Sequence, residues 1–99
     1  MLEKYRNQLD TIDNNIIKLI AKRKIIVEKI ALYKKKHNVP VFHKKREEEL
    51  LRAKSILAKN ESLDPKIIKD IFNKLIKYSH IIQKRIITRP NIGRSKGSK

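Results

Sequence analysis

Several polar side chains in this 99-residue sequence stand where a helical period calls for apolar residues. Arg23 interrupts a column of leucine and isoleucine, where a guanidinium is costly unless an anion meets it. Ser79 and Gln83 stand one turn apart on another apolar stripe, and each must find hydrogen-bond partners there. With residues that border these faces they form a set of cations and neutral donors plus one carboxylate: Arg23, Lys34, Arg46, Ser79, Gln83 and Glu47. Such a set suits a small dianion, whereas the simpler interpretations are a snorkelling or ion-paired arginine and a satisfied core hydroxyl.

The sequence has no pattern for covalent or metal-dependent catalysis. There is no cysteine, which excludes a thiolate nucleophile, a disulfide framework and zinc-finger spacing. The three histidines, His37, His43 and His80, are not at ligand spacings such as HxxxH. His80 directly follows Ser79, and adjacent helical side chains point about 100° apart, so these two do not form a nucleophile and base. The sequence therefore predicts neither a metal nor a cofactor.

The first element that must position these residues is one long helix, predicted from Leu2 to about Lys36. Two columns at heptad spacing run along it: Leu2, Leu9, Ile16, Arg23 and Ile30, then Tyr5, Ile12, Leu19, Ile26 and Tyr33. At about 1.5 Å per residue the helix would be about 50 Å long, too long for its own chain to wrap. Lys34 lies within about 20° of Arg23 around the helix, so both cations face the same side.

Two further helices are predicted after a short extended link. The first helix ends over residues 37–40, because proline disfavours helical geometry at the residue before it. The second helix runs from about His43 or Lys44 to about Lys59. The third runs from Pro65 to about Ile87 and is capped by Asp64. The fold class is therefore all-α, with three helices of unequal length in each chain.

The net charge, the lack of long apolar runs and the C-terminal residues indicate the partners, the location and the domain bounds to expect. The formal net charge is +16, but the lysines are scattered over outward helix positions, so we expect no nucleic-acid partner beyond non-specific binding. No apolar run approaches the length of a membrane span or a secretory signal, and we expect a cytoplasmic location. Residues 89–99 are basic and hold the only glycines, and they are predicted to be disordered. Residues 1–88 then form one helical domain.

Three segments carry polar residues in a specific order: YRNQLDTIDNNIIKLIAKR, YKKKHNVPVFHKKREEELL and LDPKIIKDIFNKLIKYSHIIQ. In these segments the chain resembles the all-helical (AroQ-class) chorismate mutases, over roughly Leu2 to Arg85 and without gaps. The resemblance implies an isomerase that converts chorismate to prephenate by an intramolecular, Claisen-type rearrangement in phenylalanine and tyrosine biosynthesis. It also implies an intertwined homodimeric helical bundle that needs no cofactor.

The resemblance implies roles for individual residues as well. Lys34 would bridge a substrate carboxylate and the ether oxygen, Gln83 would donate to the same oxygen, and Glu47 would hold the ring hydroxyl. The residues expected to bind the two carboxylates and their surroundings are Arg6, Arg23, Arg46 and Ser79. Many relatives have an aspartate that caps the second helix and helps with the ring hydroxyl. This chain has His43 there, a poorer cap by about 1 kcal/mol.

Arg6 sets a geometric condition on such a site. It precedes Arg23 by 17 residues, about 25 Å along a rigid helix and about 100° around it, so both cannot touch one small substrate from one chain. We therefore expect a homodimer with two shared sites, each taking Arg6 from one copy and the other residues from its partner.

Three alternatives stay open: an isochorismate-pyruvate lyase of the same fold, a basic helical nucleic-acid-binding module and a non-catalytic helical dimerisation module.

Overall fold

The computed structural model describes residues 1–89, which contain three helices and no strand. The helices are α1 (Leu2–His37), α2 (Lys44–Asn60) and α3 (Pro65–Thr88). The predicted all-α class with one very long, one short and one long helix is confirmed, and each predicted end agrees to within one residue. The predicted disordered tail, apart from Arg89, lies outside the described residues.

Local chemistry explains where the helices begin and end. After α1, Asn38 takes a left-handed conformation with φ of 56°, and its N–H donates to the Lys34 carbonyl. Asparagine tolerates that conformation, and Pro40 prevents the helix from continuing. Before α3, the Asp64 carboxylate accepts a hydrogen bond of 2.9 Å from the Lys66 N–H, and Pro65 occupies the first helical turn.

The helix α3 lies between the other two helices and contacts both. Its contacts with α1 run from Arg23 near Leu75 to Lys35 near Ile86, so α1 and α3 are parallel. The helix α2 returns antiparallel to α3, because its N-terminal Glu47 meets His80. Only the C-terminal half of α1 is covered in this way, since residues 1–19 are all exposed.

A single chain has a small core and a flat shape. Its extents are 59 × 33 × 14 Å and its radius of gyration is 17.7 Å, whereas a compact domain of this length would have about 13 Å. Within residues 1–89 the buried apolar residues are Val27, Ala31, Ala58, Ile76 and Ile82. The heptad columns of α1 remain open to solvent, with Leu9 57% and Ile12 54% exposed. One chain therefore leaves most of its long apolar face uncovered.

None of the helices in residues 1–89 is long and apolar enough to cross a membrane.

Candidate active site

One cavity of about 170 Å³ lies among the three helices and the link between α1 and α2. It brings together seven of the eight residues that the sequence predicts for a site: Arg23, Lys34, His43, Arg46, Glu47, Ser79 and Gln83. Apolar side chains, including Val27, Ile30 and Ile76, line the rest of its wall. Arg6 does not reach this cavity. It lies exposed near the start of α1.

Arg23 enters the cavity from α1 and is held by α3. Its Nη1 donates to Ser79 Oγ at 2.5 Å and to the Leu75 carbonyl oxygen at 3.4 Å. Burial lowers the pKa of the Arg23 guanidinium, which still remains charged because arginine does not deprotonate in proteins. Both hydrogen-bond partners are neutral groups. They orient the Arg23 guanidinium, but they do not neutralise its positive charge.

Lys34 lies further along the same side of α1, as the helical period predicts. Its Nζ donates to the Val41 carbonyl oxygen at 2.9 Å, which fixes the ammonium group against the link. Burial lowers the pKa of Lys34, and the negative charge of Glu47 opposes this shift only in part. An anion that binds beside Lys34 would therefore stabilise its protonated form.

The first turn of α2 supplies His43, Arg46 and Glu47. The His43 side chain caps the helix, because its Nδ1 accepts a hydrogen bond of 3.1 Å from the Arg46 N–H. A ring nitrogen can accept only when it carries no proton, so in this bond the His43 hydrogen is on Nε2. The imidazole thus caps α2 through one ring nitrogen and has a donor on the other.

The third helix supplies two buried polar side chains, Ser79 and Gln83, which are 7% and 6% exposed. Ser79 Oγ accepts from Arg23 and donates to the Leu75 carbonyl at 2.9 Å, so it is satisfied. Gln83 differs, because its buried Oε1 has no hydrogen-bond partner among the described residues. A buried polar atom left unpaired costs about 1–3 kcal/mol. Gln83 therefore has an unpaired acceptor, which a donor could satisfy.

His80 is a cavity residue that the sequence reasoning did not select. Its Nε2 lies 2.6 Å from Glu47 Oε2, so the imidazole of α3 holds the carboxylate of α2. The sequence did indicate that His80 has a partner other than Arg23. His80 follows Ser79 on α3, so its side chain points about 100° away from the direction in which Ser79 meets Arg23.

The charges around the cavity favour an anionic ligand. Within residues 1–89 Glu28 is bound by Lys24 and Glu47 by His80, so Arg23, Lys34 and Arg46 have no carboxylate partner in the described chain. Three cations therefore converge on a small cavity whose single carboxylate is already bound. Such a site favours a ligand with anionic groups.

Fold and site together define an all-helical domain with a cationic cavity among its three helices. The family model for chorismate mutase type II matches residues 5–84. The chain therefore belongs to the type II chorismate mutase family, which confirms the resemblance in the sequence.

Curated relatives agree with this membership. The chain is 36% identical, over 93% of its length, to a bifunctional chorismate mutase/prephenate dehydratase of Buchnera aphidicola subsp. Baizongia pistaciae, of which it covers 25%. It is 31% identical to a chorismate mutase of Methanocaldococcus jannaschii, with 87% of each chain covered. A T-protein of Haemophilus influenzae is 27% identical over 80% of this chain and 21% of its own. The chain thus spans about a quarter of the length of the bifunctional relatives, and no solved structure matches it significantly.

Proposed function

We propose that two copies of this chain form two shared active sites that rearrange chorismate to prephenate. The observation that carries the proposal is the single cavity in which Arg23, Lys34 and Gln83 meet without an anionic partner in the described chain. Chorismate has two carboxylates flanking an ether oxygen, and this arrangement of charges and donors is complementary to it.

The two carboxylates would be bound by the arginines. Arg23 is already oriented by Ser79 and Leu75, so its guanidinium needs no large movement to meet a carboxylate. Arg46 approaches from the first turn of α2, whose exposed N–H groups also favour negative charge. Holding both ends of the substrate selects the compact conformer in which the reacting carbons lie close together, which lowers the entropic part of the barrier.

The ether oxygen would be met by Lys34 and Gln83. In this unimolecular reaction negative charge grows on that oxygen as the C–O bond lengthens, and donors placed there stabilise the transition state more than the substrate. Each such donor contributes about 3 kcal/mol in comparable sites. The Gln83 amide can present its NH₂ or its oxygen to the cavity by a half-turn, and a bound ether oxygen would select the NH₂.

Arg6 would complete each site from the second copy. The exposed apolar columns of α1 supply the surface on which two long helices can pair, and an antiparallel arrangement about a two-fold axis brings each N-terminal half beside the partner's C-terminal half. Arg6 would then approach the cavity formed by Arg23 and Lys34 of the other chain. The same pairing would bury the face that one chain leaves open.

The proposal is tested by incubating the purified chain with chorismate. Loss of chorismate absorbance with formation of prephenate, detected as phenylpyruvate after acid treatment, is the expected result. Isochorismate is assayed in parallel with a coupled pyruvate measurement, because a lyase of the same fold would release pyruvate. Glu47 and the ungapped link around Pro40 favour the mutase. Pyruvate release without prephenate formation would overturn the assignment.

Replacing Gln83 by glutamate should make the reaction depend on a proton. Desolvation at this buried position raises the pKa of a carboxyl group while the nearby cations lower it, and only the protonated form can donate to the ether oxygen. The activity of Gln83→Glu should therefore rise as the pH falls from about 8 to about 5, while that of the wild type changes less. Initial rates across this range give the answer. A variant profile parallel to that of the wild type would remove Gln83 from the donor role.

A further inference from the structure

The contact between His80 and Glu47 joins two helices at the cavity wall. The Nε2 to Oε2 distance is 2.6 Å, and the two side chains are 15% and 28% exposed. Within residues 1–89 it is the one hydrogen bond between α2 and α3. A short, partly buried bond to a carboxylate is stronger than a neutral one, so it fixes the position of the Glu47 carboxylate.

The orientation of the His80 ring is set from outside the cavity. Phe42 meets the imidazole edge-on, with ring centroids 4.4 Å apart and an interplanar angle of 75°. The Phe42 ring is in turn contacted by Lys84, whose Nζ lies 4.8 Å from the ring centroid. Neither Phe42 nor Lys84 lines the cavity. One face of the histidine is therefore packed by a side chain that does not line the cavity.

Glu47 has a second possible partner in Lys34. The Glu47 charge acts on Lys34 strongly enough to oppose the effect of burial on its pKa. The two groups nevertheless form no ion pair in the described residues, where Glu47 is bound by His80 instead. A direct bond between Lys34 and Glu47 would occupy both groups and withdraw the ammonium from the ligand.

We propose that His80 is a positioning residue: by binding Glu47 Oε2 it holds the carboxylate apart from Lys34 and leaves Oε1 free for the substrate's ring hydroxyl. This inference rests on the proposed mutase function, in which Glu47 and Lys34 bind different parts of one substrate. His80 itself does not touch the reacting atoms. Its removal should let Glu47 turn toward Lys34, so that chorismate must first break an ion pair.

A double-mutant cycle separates this role from simple packing. His80→Leu should lower kcat/KM about tenfold in the wild-type background, as expected for the loss of a hydrogen bond to a charged group. In the Glu47→Ala background the same change should alter kcat/KM less than about twofold, because no carboxylate remains to be positioned. His80→Gln, which can still donate to Glu47, should retain activity within about threefold of the wild type.

Two further variants serve as a substitute for His80→Leu and as a control. His80→Asn is polar but too short to reach Glu47, so it should lose activity like His80→Leu and can replace it if the leucine variant does not fold. His37→Leu is the matched control, since His37 stacks on Tyr33 at the end of α1, away from the cavity, and should have no effect.

The outcomes distinguish this inference from the proposed function. Equal losses for His80→Leu with and without Glu47 would show a structural role and overturn the positioning role alone. Failure of His80→Gln to retain more activity than His80→Asn would do the same. A wild type that does not convert chorismate would overturn the proposed function, and the positioning role with it.

Discussion

Replacing Lys34 by alanine is expected to lower kcat/KM for chorismate about 100- to 1,000-fold, because a preorganised donor to developing negative charge contributes on this scale. The Nζ of Lys34 is held at the cavity by the Val41 carbonyl at 2.9 Å, so it meets the substrate with little reorganisation. Initial rates of chorismate loss, measured on variant and wild type of equal helicity, give the ratio. Lys36→Ala removes an exposed lysine outside the cavity and should stay within about twofold of the wild type.

The protonation state of Lys34 offers a second measure of the same role. Burial lowers its pKa, with partial opposition from the charge of Glu47. The ammonium form is the charged and stronger donor, so wild-type kcat/KM should fall on the alkaline side with a midpoint below the ordinary lysine value of 10.5. Lys34→Arg remains charged throughout and should lack this decline. An identical alkaline decline in both proteins would assign it to another group.

Disrupting the exposed columns of α1 should abolish activity without touching the cavity. Ile12 and Ile16 are 54% and 48% exposed in the single chain, and in the proposed dimer they would be buried against the second copy. Two glutamates there would place unpaired charges in an apolar interface, which is strongly unfavourable. We expect a monomer by sedimentation and a loss of kcat of about 1,000-fold, since no site would receive Arg6.

Matched substitutions on the opposite face of α1 provide the control. Asn7→Glu with Asn14→Glu makes the same change in charge at positions outside both columns. That protein should remain dimeric and active. A monomeric Ile12→Glu/Ile16→Glu protein with wild-type activity would contradict the shared site, because one chain would then suffice.

The fold followed from the sequence because each helix carries a regular period and a local end signal. Pro40 and the Asp64-Pro65 pair act through their own backbone geometry, so their positions alone fix where helices stop and start. The placement of Arg23 and Lys34 in one cavity followed from the same period, since eleven residues are close to a whole number of helical turns. The helix ends and the shared face of Arg23 and Lys34 depend only on residues close to each other in the sequence.

Contacts between helices were harder to predict. The spacing of His80 from Ser79 excluded a bond between those two residues but did not identify Glu47, 33 positions earlier, as the partner. His43 was expected to be a poorer cap than aspartate, because helix-capping preferences rank side chains by type; which ring atom makes the cap, Nδ1, depends on an orientation that the sequence does not specify. The role of Arg6 stays a prediction, since it depends on a second copy of the chain.

Mixing two inactive variants tests the shared site most directly. Arg6→Ala and Lys34→Ala each damage both sites of their own homodimer, although they lie in opposite halves of α1. In a mixed dimer one site receives both defects and the other receives neither. Combined in equal amounts under conditions that allow subunit exchange, the two proteins should regain about a quarter of wild-type activity, because half the dimers are mixed and half their sites are intact.

The mixture should be followed by native mass spectrometry and by chorismate turnover at the same time points. Activity that rises in step with the heterodimer peak, and stops near one quarter of the wild-type rate, is the predicted result. Full formation of the heterodimer without recovery of turnover would contradict a site built from two chains, because Arg6 would then act within its own chain or not at all.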